Sequence, residues 1–177
     1  MDNRRVSLSK SAPELFQAAV KLERQTSEYA SSAGICEGFA HLLRLRASQL
    51  NRCAYCVRLH TREALSSGET TDRISVLPAW RETGYFTDKE RAALALIEAV
   101  TLIADGQVPD SVYNQAAGVL SKEEITAVEW IGVLINVMNR IAIPSRTPVK
   151  RLGERFLRHR ENSVCIRPSL HPILKGG

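Results

Sequence analysis

The chain has 177 residues and a mass of 19.6 kDa, enough for one domain with a proper core. Hydrophobic residues make up 44% and aromatics only 6%, which suits a helical protein rich in Ala and Leu, and no run of about 18 apolar residues announces a membrane span. The net charge of +5 is concentrated at one end: residues 145–177 hold eight Lys/Arg against Glu154 and Glu161, the rest balances to −1, and the body has no basic excess for nucleic acid.

Met1-Asp2-Asn3-Arg4-Arg5 lacks the apolar centre of a signal peptide, and the four cysteines (Cys36, Cys53, Cys56, Cys165) are too unevenly spaced for a secreted disulfide framework. A cytoplasmic protein is expected. Ser11-Ala12-Pro13-Glu14 reads as a helix start with a capping-box Ser and Glu, and Leu15, Ala18, Ala19 and Leu22 as its apolar face. Ser31-Ser32-Ala33-Gly34 breaks that helix. A second helix is expected over residues 36–50, with Phe39, Leu42, Leu43 and Leu50 in the core. Asn51 then serves as the N-cap of a helix that Gly68 closes.

A short helical piece restarts at Thr71-Asp72-Arg73 and stops at Pro78, and Trp80 should dock on the core. Thr87-Asp88-Lys89-Glu90 is a capping box for a helix carrying Ala93, Leu96, Ile97, Val100 and Ile103 towards Gly106. Pro109-Asp110 opens a shorter helix. Ser121-Lys122-Glu123-Glu124 caps a long one with Ile125, Val128, Ile131, Ile135 and Met138 in one stripe, ended by Pro144. No stretch alternates over more than a few residues. The expectation is an all-α bundle of about six or seven helices over residues 1–149, with a basic C-terminal tail over residues 150–177. Wide apolar faces over residues 88–104 and 122–142, the latter nearly encircled, favour subunit association.

The chemistry centres on Asn51-Arg52-Cys53-Ala54-Tyr55-Cys56-Val57-Arg58-Leu59-His60. Positions i, i+3 and i+7 share a helix face, which would align Cys53, Cys56 and His60. A helix start stabilises thiolates through its free N–H groups and dipole, and His60 could exchange protons with a thiol or a leaving group. Three readings compete for this stretch. Zinc would need a second half-site, which does not follow at the usual distance, although Cys36 or His41 could supply a ligand. Two inert buried thiols beside a core histidine form the second. A catalytic dithiol is the third, and the tight spacing favours it.

The chain resembles the AhpD-like alkylhydroperoxidase and carboxymuconolactone decarboxylase superfamily. The resemblance is carried by residues 45–51, Cys53-Ala54-Tyr55-Cys56, His60-Thr61, Trp80-Arg81-Glu82, Phe86-Thr87-Asp88, residues 90–101, Asn139-Arg140-Ile141-Ala142 and Arg146-Thr147-Pro148-Val149. It implies an all-helical subunit that forms trimers or hexamers, with a peroxide as substrate and a dithiol protein or small thiol as reductant. It further implies that Cys56 attacks the peroxide, that Cys53 resolves the sulfenic acid, and that His60 relays protons. The family's relay glutamate falls on His41, for which Glu37 could stand in. Arg52 stands where the family usually has Gly and puts a cation beside Cys53. No cofactor or metal is expected. A decarboxylase, which needs no thiol pair, and a non-enzymatic thiol sensor are the rival readings.

Overall fold

The computed structural model describes residues 5–149, built from eight α-helices and one 3-10 stretch, without a strand among them. In order they are α1 (Leu8–Ser11), α2 (Pro13–Ser32), α3 (Glu37–Leu50), α4 (Ala54–Ser66), α5 (Thr71–Val76), the 3-10 stretch Leu77–Glu82, α6 (Asp88–Thr101), α7 (Asp110–Ala117) and α8 (Lys122–Ala142). The all-α expectation holds. The helix beyond the expected six or seven is α1, a single turn before Pro13. The tail over residues 150–177 lies outside the described residues.

Local rules explain the clearest boundaries. Both Thr87 and Ser121 close complete capping boxes, with Glu90 and Glu124 respectively. The box expected at Ser11 does not form: Ser11 ends α1, and Ala12 stands at the N-cap of α2 without a side-chain bond. The face of α2 is also turned. Thr26 and Ala30 face inward, while Leu15 is 75% exposed and Leu22 also faces solvent. At the other boundary, α6 stops at Thr101, so Ile103 lies beyond it and is exposed.

The core gathers Leu42, Leu43 and Leu45 of α3, Leu94, Leu96 and Ile97 of α6, and Ile125, Val128, Ile131 and Ile135 of α8. Trp80 is docked as expected: its Nε1 donates to Glu98 Oε1 at 2.9 Å, and Glu98 also pairs with Arg46 and Arg81 at 2.6 Å each. Gly132 lets α8 approach α6, since a Cβ there would meet Val100 Cγ1 at 2.8 Å. By length and composition α8 is the one helix among the described residues that could cross a bilayer, and half of its apolar stretch is buried in the core.

The corner between α3 and α4 positions the site, and it differs from the expected one. Asn51 is helical and closes α3 instead of opening α4. Arg52 follows with φ 56°, Arg52 N donates to Gln49 O at 3.1 Å, and Cys53 N donates to Ser48 O at 3.0 Å. This is a Schellman closure with Arg52 in the left-handed position that glycine prefers. The N-cap of α4 is therefore Cys53 itself, with Cys56 in its first turn.

Candidate functional site

The two sulfurs lie 2.8 Å apart, both buried, and Cys53 and Cys56 are free thiols. Sharing a proton with the Cys56 thiol is the main influence that lowers the Cys53 pKa to about 7, against burial. The N–H groups of Tyr55 and Cys56 add to this: they close no regular capping bond on the sulfur, yet favour its charge. The second proton of the pair is held strongly on Cys56, because the hydrogen bond between the two sulfurs needs it and Cys56 is buried. Arg52, expected to stabilise the thiolate, is exposed and not among the influences on Cys53.

Asn139 is the polar partner behind Cys56. It is completely buried, accepts from Asn51 Nδ2 at 2.8 Å through Oδ1, and donates to Ser48 Oγ at 3.2 Å through Nδ2. The same amide acts on Cys56 as a hydrogen-bond donor and favours its thiolate. Asn51 also donates to Asn136 Oδ1 at 2.9 Å, and Asn136 Nδ2 is fixed on Gly132 O at 2.8 Å. The backbone of α8 thus sets the orientation of each amide in turn.

A cavity of about 850 Å³ opens beside Cys56 between α2, α3, α4 and the end of α8, and Cys53 is not part of its wall. His41 and His60 both line it, with their rings stacked at 5.7 Å. Four expected site residues are therefore gathered at one place. The carboxylate nearest them is not Glu37, the possible stand-in, whose side chain is 79% exposed and 3.9 Å from His41 Nε2. It is Glu63, unforeseen from the sequence although it lies three residues after His60 on the same helix face. Glu63 Oε2 hydrogen-bonds His60 Nδ1 at 2.8 Å and lies 3.3 Å from His41 Nδ1, too poorly aligned there to form a hydrogen bond.

Burial and the nearby Arg44 hold His41 below its ordinary value. Glu63 is also lowered: burial works against it, and the His60 hydrogen bond leads the influences that outweigh burial. His41, His60 and Glu63 are the one group among the described residues with donor atoms close enough, within 4.8 Å, to share a metal ion. Neither cysteine of the pair belongs to it. Glu63 sits between the two imidazoles, and Arg44 adds a fixed positive charge that opposes further positive charge there.

The family model for the carboxymuconolactone decarboxylase family matches residues 13–99, from the start of α2 into α6. The uncharacterized protein YdfG of Bacillus subtilis is 36% identical over 141 residues, which cover 80% of this chain and 93% of that protein. A solved structure from Agrobacterium tumefaciens, ATU0492, superposes with a TM-score of 0.74 at 37% identity, covering 82% of this chain and 99% of its own. ATU0492 is a protein of unknown function put forward as a candidate antioxidant defence protein AhpD. The fold and the dithiol corner define an AhpD-like helical protein. The chain belongs to the carboxymuconolactone decarboxylase family, within the superfamily that includes the AhpD-like proteins.

Proposed function

We propose that this protein is a dithiol peroxidase. The observation that carries the reading is the sulfur pair 2.8 Å apart, of which Cys56 alone lines the cavity, beside His60 and Glu63. Moving the shared proton onto Cys53 places the thiolate on Cys56, where a substrate can meet it. The Cys56 sulfur attacks the distal peroxide oxygen, the O–O bond breaks, and the departing alkoxide takes a proton from the His60–Glu63 pair. Products are the alcohol and a Cys56 sulfenic acid. Cys53 then gives the proton it took to the imidazole that the alkoxide left neutral, and its thiolate attacks the sulfenic sulfur. Hydroxide leaves, is protonated to water, and the Cys53–Cys56 disulfide remains. An external dithiol returns both electrons by thiol exchange.

Trapping tests this directly. In Cys53→Ser, one equivalent of organic hydroperoxide should leave Cys56 as a sulfenic acid that dimedone captures. No capture on Cys56 would contradict the reading.

The working form is proposed to be a homo-oligomer. Trp130, Val133 and Val137 leave an apolar stripe of α8 exposed, and Leu15, Leu22 and Tyr29 do the same on α2. Light scattering at low micromolar concentration should give several times the 19.6 kDa chain mass. A monomer would contradict this.

A further inference from the structure

We propose that the cavity beside Cys56 admits uncharged, mostly apolar molecules and turns away carboxylates. For its chemistry this rests on the peroxidase reading. For its binding it rests on the cavity alone. Phe16, Val20, Ile35, Leu59, Ile135 and Met138 supply the apolar wall of a cavity of about 850 Å³, large enough for an aryl or branched alkyl group.

The charged groups on that wall are one-sided. Among the described residues, Glu23, Glu28, Glu37 and Glu63 face one fixed cation, Arg44, and the two imidazoles of His41 and His60. Arg44 is already committed: its Nε lies 3.2 Å from Glu23 Oε1, its NH2 donates to Ser27 Oγ at 2.7 Å, and its side chain is only 4% exposed. Glu28 is paired with Arg24 at 3.4 Å on the solvent side, so that cation is engaged as well. An entering carboxylate would lose its hydration and meet like charge at the mouth, and the imidazoles offset this poorly: His60 is already bonded to Glu63, and burial and Arg44 disfavour a charged His41. A neutral hydroperoxide carries neither cost, and its O–H finds acceptors at the Glu63 end of the cavity.

The test compares cumene hydroperoxide with its para-carboxylate, which adds one anionic group to the same aryl hydroperoxide, and with the methyl ester of that carboxylate as the neutral control of similar size. Oxidation of the reduced full-length protein is followed in single turnover by thiol counting. Both neutral compounds should react faster than the carboxylate by about tenfold or more, the gap should narrow at high salt, and Glu28→Gln/Glu37→Gln should narrow it further. Equal or faster reaction of the carboxylate would overturn the proposal. A second arm titrates the corresponding alcohols, which need no thiol chemistry, by calorimetry. If none of the hydroperoxides reacts, the peroxidase reading fails and this arm still decides: tighter binding of the neutral alcohols supports the selectivity, and equal or tighter binding of the carboxylate overturns it.

Discussion

Asn51 Nδ2 donates to Asn139 Oδ1 at 2.8 Å, across the gap between the end of α3 and the middle of α8. This bond fixes which end of the Asn139 amide faces the thiols. Replacing Asn139 by Leu keeps the volume and removes the donor. The alkylation midpoint of the thiol pair should rise, and stability should fall by about 1–3 kcal/mol because Asn51 and Ser48 lose a buried partner. The pH dependence of iodoacetamide alkylation and urea unfolding measure the two effects. Asn51→Ala should move the alkylation midpoint in the same direction, since the freed amide can turn.

The histidine–carboxylate group should leave a pH signature on stability. His41 titrates below its ordinary 6.5 in the fold, mainly through burial and then Arg44. The unfolded chain therefore binds the proton more readily, so the His41 contribution is complete above 6.5 and is lost as the pH falls through the lowered folded value. Glu63, lowered from 4.5, adds a second loss as the pH drops below that point. Thermal midpoints of the wild type should fall on acidification from neutral pH, and those of His41→Gln should fall less through the histidine window. Identical curves would show that His41 is not desolvated.

Arg52 occupies a left-handed backbone position, φ 56°, at the closure of α3. A glycine removes the side-chain strain there, so Arg52→Gly should stabilise the fold by about 1 kcal/mol. The Cys53 pKa should stay where it is, because the influences on it come from Cys56 and the start of α4. A large upward shift in thiol pKa would restore the guanidinium to the site.

Gly132→Ala tests the α6–α8 approach. The helix gains up to about 1 kcal/mol from propensity, yet the new methyl would lie 2.8 Å from the stiff Val100 side chain. Net destabilisation of about 1–2 kcal/mol is expected from unfolding curves, with recovery in Gly132→Ala/Val100→Ala.

What the sequence made legible follows from how local the governing rule was. The Thr87 and Ser121 boxes bond residues three apart, and they form as read. The stripe Ile125, Val128, Ile131 and Ile135 of α8 is buried as read, although Trp130, Val133 and Val137 give the helix a second apolar face that stays exposed. On α2 the one face read from Leu15 and Leu22 turned outward, because packing against α8 buries Thr26 and Ala30 instead. Asn51 misled because it suits either side of a helix boundary, and the bonds to Gln49 and Ser48 settled the corner. His41, His60, Cys53 and Cys56 were found by spacing and resemblance. Glu63 was missed because an acidic residue on a surface helix is unremarkable until the partner helix brings His41 beside it.

The account stands most directly on the fate of the thiols. Fully reduced protein is mixed with cumene hydroperoxide in substoichiometric steps, free thiols and cumyl alcohol are counted, and the oxidised chain is peptide-mapped. Two thiols should disappear for each alcohol formed, with a single bridge between Cys53 and Cys56. Unchanged thiols, or a bridge to Cys36 or Cys165, would contradict it.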